Sequence, residues 1–355
     1  MRRILQAGLA AVLLLAGYLA LWPTPVEPVA WDPPADPGLT GPYAANDRLS
    51  GVARLAQGRV SSPDAVLFDR QGSLYTSSAD GRIYRMAADG GGLEVFADVG
   101  GRPTGMAFAP DGALIAANEP RGAILRVPPG GGPAQVLTDS VDGRRLRLVN
   151  DVSVAADGTV YFTESSSRFH YDRSRWIALE HAGDGAVHAY DPATGRTRVV
   201  RDGLQLPNGV VVSADGTYLL VSETGAYRVI RHWLSGPRAG ASETLIDGLP
   251  GYPNDIAPAA GGGHWVALMS LRSPLLDGLG GWPGLRRAIT RLPYTWLPEP
   301  APIGFVIRVD GQGQVTANLQ DPGEGAFSAV SAVADRDGTL YLGTETGDAV
   351  GRVTY

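Results

Sequence analysis

Six turn glycines, Gly72, Gly112, Gly158, Gly216, Gly262 and Gly338, share an upstream register. Eight residues before them stand Asp64, Thr104, Asn150, Asn208, Asn254 and Val330. Four of these six are carboxylate or carboxamide residues, and the three asparagines are each followed by Asp or Gly. A single Asn or Asp ahead of a strand is explained by the backbone hydrogen bonds it makes for itself in a turn. Four at one offset form a set. Oxygen donors without thiol or imidazole suit a hard cation, and a loose ring with room for water suits Ca²⁺ better than Mg²⁺, which demands tight octahedral geometry. Asp64, Asn150, Asn208 and Asn254 are therefore the expected metal ligands, with Ca²⁺ as the expected cofactor.

Such a ring needs a scaffold that presents equivalent residues around one axis. Around each glycine the chain repeats a short loop, an alternating apolar segment, a turn usually written Asp-Gly and a second strand, as in "VNDVSVAADGTVYFTE" from 149 and "PNGVVVSADGTYLLVSE" from 207. Apolar alternation on both sides of a glycine-bearing turn is the pattern of a β-hairpin. A third strand often follows, for example "GRIYRM" from 81 and "YRVIRHW" from 227. Most of the turns are about 40 to 50 residues apart, the period of propeller blades. The reading is all-β: a six-bladed β-propeller over residues 51–355, with Gly51–Val60 supplying the outer strand of the blade whose third strand is the C-terminal "AVGRVTY". Equivalent strand heads in a propeller surround the axis at one height.

Ahead of the propeller, Arg2 and Arg3 precede an apolar run from Ile4 to Trp22, about the length that crosses a hydrocarbon core. A cut after Ala20 would put Tyr18 at the −3 position, where a signal peptidase needs a small residue, so residues 1–22 are read as an uncleaved anchor. The two arginines place the N-terminus in the cytoplasm and the propeller in the periplasm or outside the cell, a single-pass membrane topology. Residues 23–50 hold Pro23, Pro25, Pro28, Pro33, Pro34, Pro37 and Pro42 and are expected to be an extended spacer that does not pack. A net charge of −6 without a basic, aromatic-interleaved stretch excludes a nucleic-acid surface. With no cysteine there is no disulfide, thiolate chemistry or iron–sulfur cluster, and five scattered histidines make no His-rich site.

The stretches "PDAVLFDRQGSLYTSSADGRIYRM", "VNDVSVAADGTVYFTESSSRF", "GLQLPNGVVVSADGTYLLVSETGAYRVIRHWLSGPRAG" and "GLPGYPNDIAPAAGGGHWVAL" resemble the strictosidine synthase-like proteins, above all the adipocyte plasma membrane-associated protein type, within the gluconolactonase, regucalcin and paraoxonase superfamily. The resemblance covers roughly residues 51–355. It implies a catalytic Ca²⁺ in the propeller channel, with the first-blade acid at Asp64 and asparagines at Asn150 and Asn208. Many relatives read Asp-Asn or Asp-Gly where this chain has Asn254-Asp255, so either Asn254 faces the ion with Asp255 in support, or the loop presents Asp255. Strictosidine synthases carry a glutamate that falls at Ser331 here, which argues against amine–aldehyde condensation.

The first functional expectation is a membrane-anchored, Ca²⁺-dependent hydrolase of a small-molecule lactone or aryl ester, in which the ion polarises the carbonyl while water attacks. The base would be Asp255, Asp151 or Asp64. A carboxylate beside a cation loses basicity, so holding the ion and taking the proton call for different residues. Asp151 serves equally well in holding a loop amide. His170 is a further acid–base candidate. It lies in the insertion "SSSRFHYDRSRWIALEHAGDG" from 165, and a second insertion runs from Leu271 to Pro302; both are expected to cover the binding face as a lid. Glu119, Glu164, Glu223 and Glu345 recur after the turn glycines and read as structural. The alternative expectation is a non-enzymatic propeller that binds a partner, with Ca²⁺ locking its blades.

Overall fold

The computed structural model describes residues 1–299 and 301–355. Residues 51–355 form six four-stranded antiparallel sheets. Their innermost strands are Val66–Phe68, Arg102–Phe108, Leu148–Val154, Pro207–Val212, Gly251–Pro258 and Val330–Arg336, numbered here as blades 1 to 6. Each runs into a hairpin whose glycine has a positive φ, such as +89° at Gly158 and +70° at Gly216, a conformation glycine adopts without strain. The sixth sheet is closed by both ends of the domain. Ala53–Leu55 pairs antiparallel with Val350–Thr354, Ala53 opposite Arg352 and Leu55 opposite Val350. The ring therefore leaves no free edge between first and last blades.

The apolar residues do not meet in one central core. Among the described residues six clusters fill the seams, one between each pair of adjacent blades, with a seventh under the lid: Leu114 and Leu125 against Tyr75 and Ile83 between blades 1 and 2, Phe162 against Ile115 and Ile124 between blades 2 and 3, and so around the ring. Alternate strand residues enter these seams, and the axis is left to the polar residues at the strand heads.

Two insertions cover one end of the axis. The first contains a helix, α2 (Ser174–Glu180); the second contains α3 (Pro274–Gly278), α4 (Pro283–Ile289) and a 3-10 turn at Tyr294–Trp296. Before all of these comes a single long apolar helix, Arg2–Leu21, none of it buried and long enough to cross a membrane.

The segment from 23 to 50 departs from expectation. It is extended, as its prolines require, but it packs along the lid and the propeller. Val26 is buried with Leu148, Phe169 and Ile177, Tyr43 joins the seam between blades 4 and 5, and Leu49 joins that between blades 5 and 6. Its backbone is also held: Val29 N–H donates to Glu180 O at 2.8 Å and Trp31 N–H to Gly280 O at 3.1 Å, while the Trp31 ring stacks on His181 at 3.8 Å. Composition reports that a proline-rich chain makes no sheet, but gives no sign that its few apolar residues have seams to fill.

Candidate functional site

The strand heads that form the ring are not regular β-structure. In blades 2 to 5 the pairing of first and second strands slips between Pro103 and Met106, Val149 and Val152, Pro207 and Val210, and Pro253 and Ile256. The two residues inside each slip are Thr104-Gly105, Asn150-Asp151, Asn208-Gly209 and Asn254-Asp255. An irregularity of this kind releases two residues from the ladder and re-aims their side chains. The first of each pair stands at the channel and the second packs against the neighbouring blade.

The second positions alternate small and acidic for a packing reason. Asp151 fits against Gly105, and its Oδ2 accepts the Val210 N–H at 2.8 Å from the next blade. Asp255 fits against Gly209 and accepts from its neighbour Ile256 N–H at 2.7 Å and from Val333 N–H of blade 6 at 3.3 Å. A Cβ on Gly209 would lie 2.7 Å from Asp255 Cα and 2.8 Å from Asn254 O. The ring backbone is tied in the same blade-to-blade manner. Thr104 Oγ1 donates to Asn150 O at 2.5 Å, Thr163 Oγ1 to Asn208 O at 2.6 Å and Ser331 Oγ to Asp64 O at 3.0 Å.

Asp64, Asn150, Asn208 and Asn254 all line one channel cavity of about 490 Å³, together with Asp151, Asp255 and Ser331. A second cavity of about 380 Å³ lies between the ring and the lid, walled by Leu179 of α2, Leu276 of α3, Leu297 and Tyr171. Asn208 lines both cavities and marks their junction. On the open question at blade 5, Asn254 faces Glu345 and Met269 while Asp255 is turned onto the backbone of its own and the next blade.

The electrostatics centre on two half-buried carboxylates, Asp64 and Glu345. Asp64 Oδ2 is 3.0 Å from Arg102 Nη2, both side chains nearly buried. The Arg102 guanidinium lies over the Tyr171 ring, 4.1 Å from its centroid. Tyr171 Oη donates to Glu345 Oε2 at 3.2 Å, and Asn254 Nδ2 donates to Glu345 Oε1 at 3.1 Å. Burial pushes the Asp64 carboxyl above its usual range despite the Arg102 charge. Burial, with the Asp64 charge, does the same to Glu345. Below them, burial raises Asp255 to about 6, and burial together with the Asp255 charge carries Asp151 well above its ordinary value.

Glu345 differs from the other repeated glutamates in what it bonds. Glu164, fully buried, is held by Arg144, His188 and the Arg147 N–H, and Glu223 by Arg228 and the Gln205 N–H, so both are structural as expected. Glu119 accepts from Tyr171 N–H at 3.2 Å. Glu345 instead reaches the ring, in the one blade whose strand-head residue is the apolar Val330. That missing donor was the available signal. His170 lies with Nδ1 3.5 Å from Glu119 Oε1 and lines neither cavity. Among the described residues no three His, Asp or Glu side chains form a metal-ligating group; a cation in this channel would rest largely on carboxamides.

Comparison with known proteins agrees with this architecture. The sequence signature of the strictosidine synthase family matches residues 150–237, and that of the strictosidine synthase-like N-terminal region matches residues 41–86. The chain is 32% identical to the adipocyte plasma membrane-associated protein of Danio rerio, over 96% of this chain and 88% of that one. Among solved structures, a gluconolactonase from Xanthomonas campestris superposes with a TM-score of 0.62 at 20% identity, covering 93% of this chain and 97% of that one. A calcium-binding regucalcin from Agrobacterium tumefaciens gives 0.57 at 14%, covering 85% and 90%. At these identities the structural likeness is one of fold.

Proposed function

The chain belongs to the adipocyte plasma membrane-associated protein family, and from that premise we propose that it is a membrane-anchored, Ca²⁺-dependent hydrolase of lactones or aryl esters. The observation that carries the reading is the gathering of Asp64, Asn150, Asn208 and Asn254 on one channel, with Asn208 opening into the apolar cavity under the lid. Gluconolactonase and calcium-binding relatives of the same fold support it.

The residues fit a hard cation. Asp64, Glu345, Asp151 and Asp255 stand largely shielded from solvent around the channel; removal from water raises all four, and the Asp64 charge adds to the rise in the other three. Among the described residues Arg102 is the one cation paired with them. A divalent ion supplies the counter-charge such a group lacks. Asp64, Asn150, Asn208 and Asn254 would hold it through oxygen, and when bound it would polarise a substrate carbonyl and stabilise the developing oxyanion.

The chain's own groups account for the rest. Asn254 Nδ2 donates to Glu345 Oε1, and an amide whose nitrogen is spent there would offer its Oδ1 to a cation. Asp255, raised to about 6, is the wall carboxylate able to take a proton from water near neutral pH, and Asp151 stands beside it on the same wall. The cavity lined by Leu179, Leu276 and Leu297 receives the apolar part of a substrate and keeps bulk water from the ring. Ser331, hydrogen-bonded to Asp64 O, offers no carboxylate for amine–aldehyde condensation. Residues 2–21 would cross the membrane, with Arg2 and Arg3 in the cytoplasm and the propeller on the opposite side.

The test is turnover of an aryl ester and lactone panel by the full chain, with and without a Ca²⁺ chelator. Activity that is lost on chelation, regained with Ca²⁺ and absent in Asn208→Ala supports the reading. Activity that survives the chelator overturns it. A chain that turns over nothing but melts earlier without Ca²⁺ is the blade-locking scaffold instead.

A further inference from the structure

The anchor helix α1 (Arg2–Leu21) is joined directly to the lid. Tyr18 Oη donates to Arg291 O at 2.7 Å, Arg291 Nη1 donates to Leu19 O at 2.8 Å and Arg291 Nε to Trp22 O. Thr24 and Thr290 hydroxyls meet at 3.0 Å. The buried Arg286 of α4 then ties Leu179 O, Gly280 O and Val29 O together, fastening α2, the α3–α4 turn and the strap that leaves α1. No slack chain separates the membrane helix from the lid, so a bilayer around α1 meets the outer surface of the lid.

That surface is apolar. Three of the seven tryptophans are exposed, Trp22 at the end of α1 and Trp282 and Trp296 in the second insertion, to which α1 is bonded, and Leu275 and Leu285 of the same insertion are exposed with them. Tryptophan is the side chain favoured at the boundary between headgroups and hydrocarbon. The exposed Arg287 on α4 is placed for headgroup phosphate. The wall is one residue thick: Leu275 faces out while Leu276 lines the cavity, and Trp296 faces out while Leu297 lines the cavity.

We propose that Leu275, Trp282, Leu285 and Trp296 seat the lid in the lipid leaflet that holds α1, so that the site draws its substrate from the membrane, as an amphiphilic ester or lactone with an alkyl chain. The membrane half of this rests on the anchor alone; the substrate half rests on the hydrolase reading above.

The chain has no cysteine, which makes single-site labelling clean. Trp282→Cys, Trp296→Cys and, on the turn at the far end of blade 3, Ala156→Cys are labelled with an environment-sensitive fluorophore in the full chain, reconstituted in phosphatidylcholine vesicles. The expected result is blue-shifted emission and about tenfold weaker iodide quenching at 282 and 296 than at 156, unchanged on dilution to one protein per vesicle. Equal quenching at all three sites overturns the proposal, and protection lost on dilution assigns the surface to a second copy. In a second arm, the folded triple variant Trp282→Asp, Leu285→Asp, Trp296→Asp should hydrolyse a water-soluble short-chain aryl ester as the native chain does, but lose about tenfold on a long-chain ester dissolved in the vesicle. Equal losses on both esters overturn the substrate half. If the native chain hydrolyses neither, the hydrolase reading fails and takes the substrate half with it, while the labelling still decides the membrane half.

Discussion

Asn254 and Glu345 come from different blades and meet at the ring, the Asn254 amide nitrogen 3.1 Å from Glu345 Oε1. With its nitrogen spent there, the carboxamide would offer its Oδ1 to a cation. Replacing Glu345 with Ala frees Asn254 to rotate and removes a negative charge from the site. Isothermal titration should then show Ca²⁺ affinity falling about tenfold, the equivalent of roughly 1.4 kcal/mol for one charged hydrogen bond. Asn150 and Asn208 variants should weaken binding as well, without the Tyr171 contact being touched.

Arg102 acts in the opposite sense. Its guanidinium neutralises Asp64 from 3.0 Å, so it competes with a cation for the same carboxylate. Arg102→Gln is expected to raise Ca²⁺ affinity by about fivefold or more, since a unit charge a few ångströms away is worth at least about 1 kcal/mol even in a high effective dielectric. The same variant should melt earlier without Ca²⁺, because Asp64, largely shielded from solvent, is left without its cation. Differential scanning fluorimetry with and without the ion should show the Ca²⁺-induced rise in Tm growing.

Gly209 has no room for a methyl group, whose carbon would fall within 2.7 Å of Asp255 Cα. Gly209→Ala should lower stability by about 1–3 kcal/mol, as overpacking does elsewhere. Gly216→Ala, at a turn glycine with open space around it, tests a different cost, since only its positive φ resists the change. Urea denaturation compares the two, with the lower midpoint expected for Gly209→Ala.

Glu164 gives the stability its acid limb. Burial would raise its carboxyl, but hydrogen bonds from Arg144, His188 and the Arg147 N–H hold it at about 2, below the ordinary 4.5. A carboxylate depressed on folding adds stability that is complete above its unfolded pKa and is lost as pH falls through the folded one. That window runs from about 5 down to about 2. Allowing for the half-exposed Arg144, the contribution is roughly 2 kcal/mol. Urea midpoints measured at pH 7, 4 and 3 should fall less steeply for Glu164→Gln than for the native chain.

Much of the architecture was legible in the sequence because a propeller repeats. Each blade writes its own alternation and its own glycine turn, so six weak local signals share a register. Closure of the ring by Gly51–Val60 and the C-terminal strand followed from counting strands. The long apolar N-terminal helix was legible for a similar reason, since length and hydropathy are properties of a contiguous segment.

What lay beyond the sequence were the relations between segments distant in the chain. The offset of eight identified which residues stand at the strand heads, but not that the ladder slips there. That slip turns Asn254 to the channel and Asp255 onto Ile256 and Val333. Val330 marks the blade of Glu345 as the one with an apolar strand head, but the residues around the glutamate itself do not set Glu345 apart from Glu164 or Glu223; the difference lies in which neighbour each meets, and Glu345 finds Asn254 across a blade seam. The strap at 23–50 packs because the seams and lid offer its Val26, Tyr43 and Leu49 a place, which no composition records. The sequence by itself determined the blade, its turn and the type of residue at the head of each inner strand, all set by periodicity along the chain. Only the tertiary structure decided how the ring at Asp64, Asn150, Asn208 and Asn254 is charged and braced, because the groups that do so, Arg102, Tyr171 and Glu345, reach it across blades and from the lid.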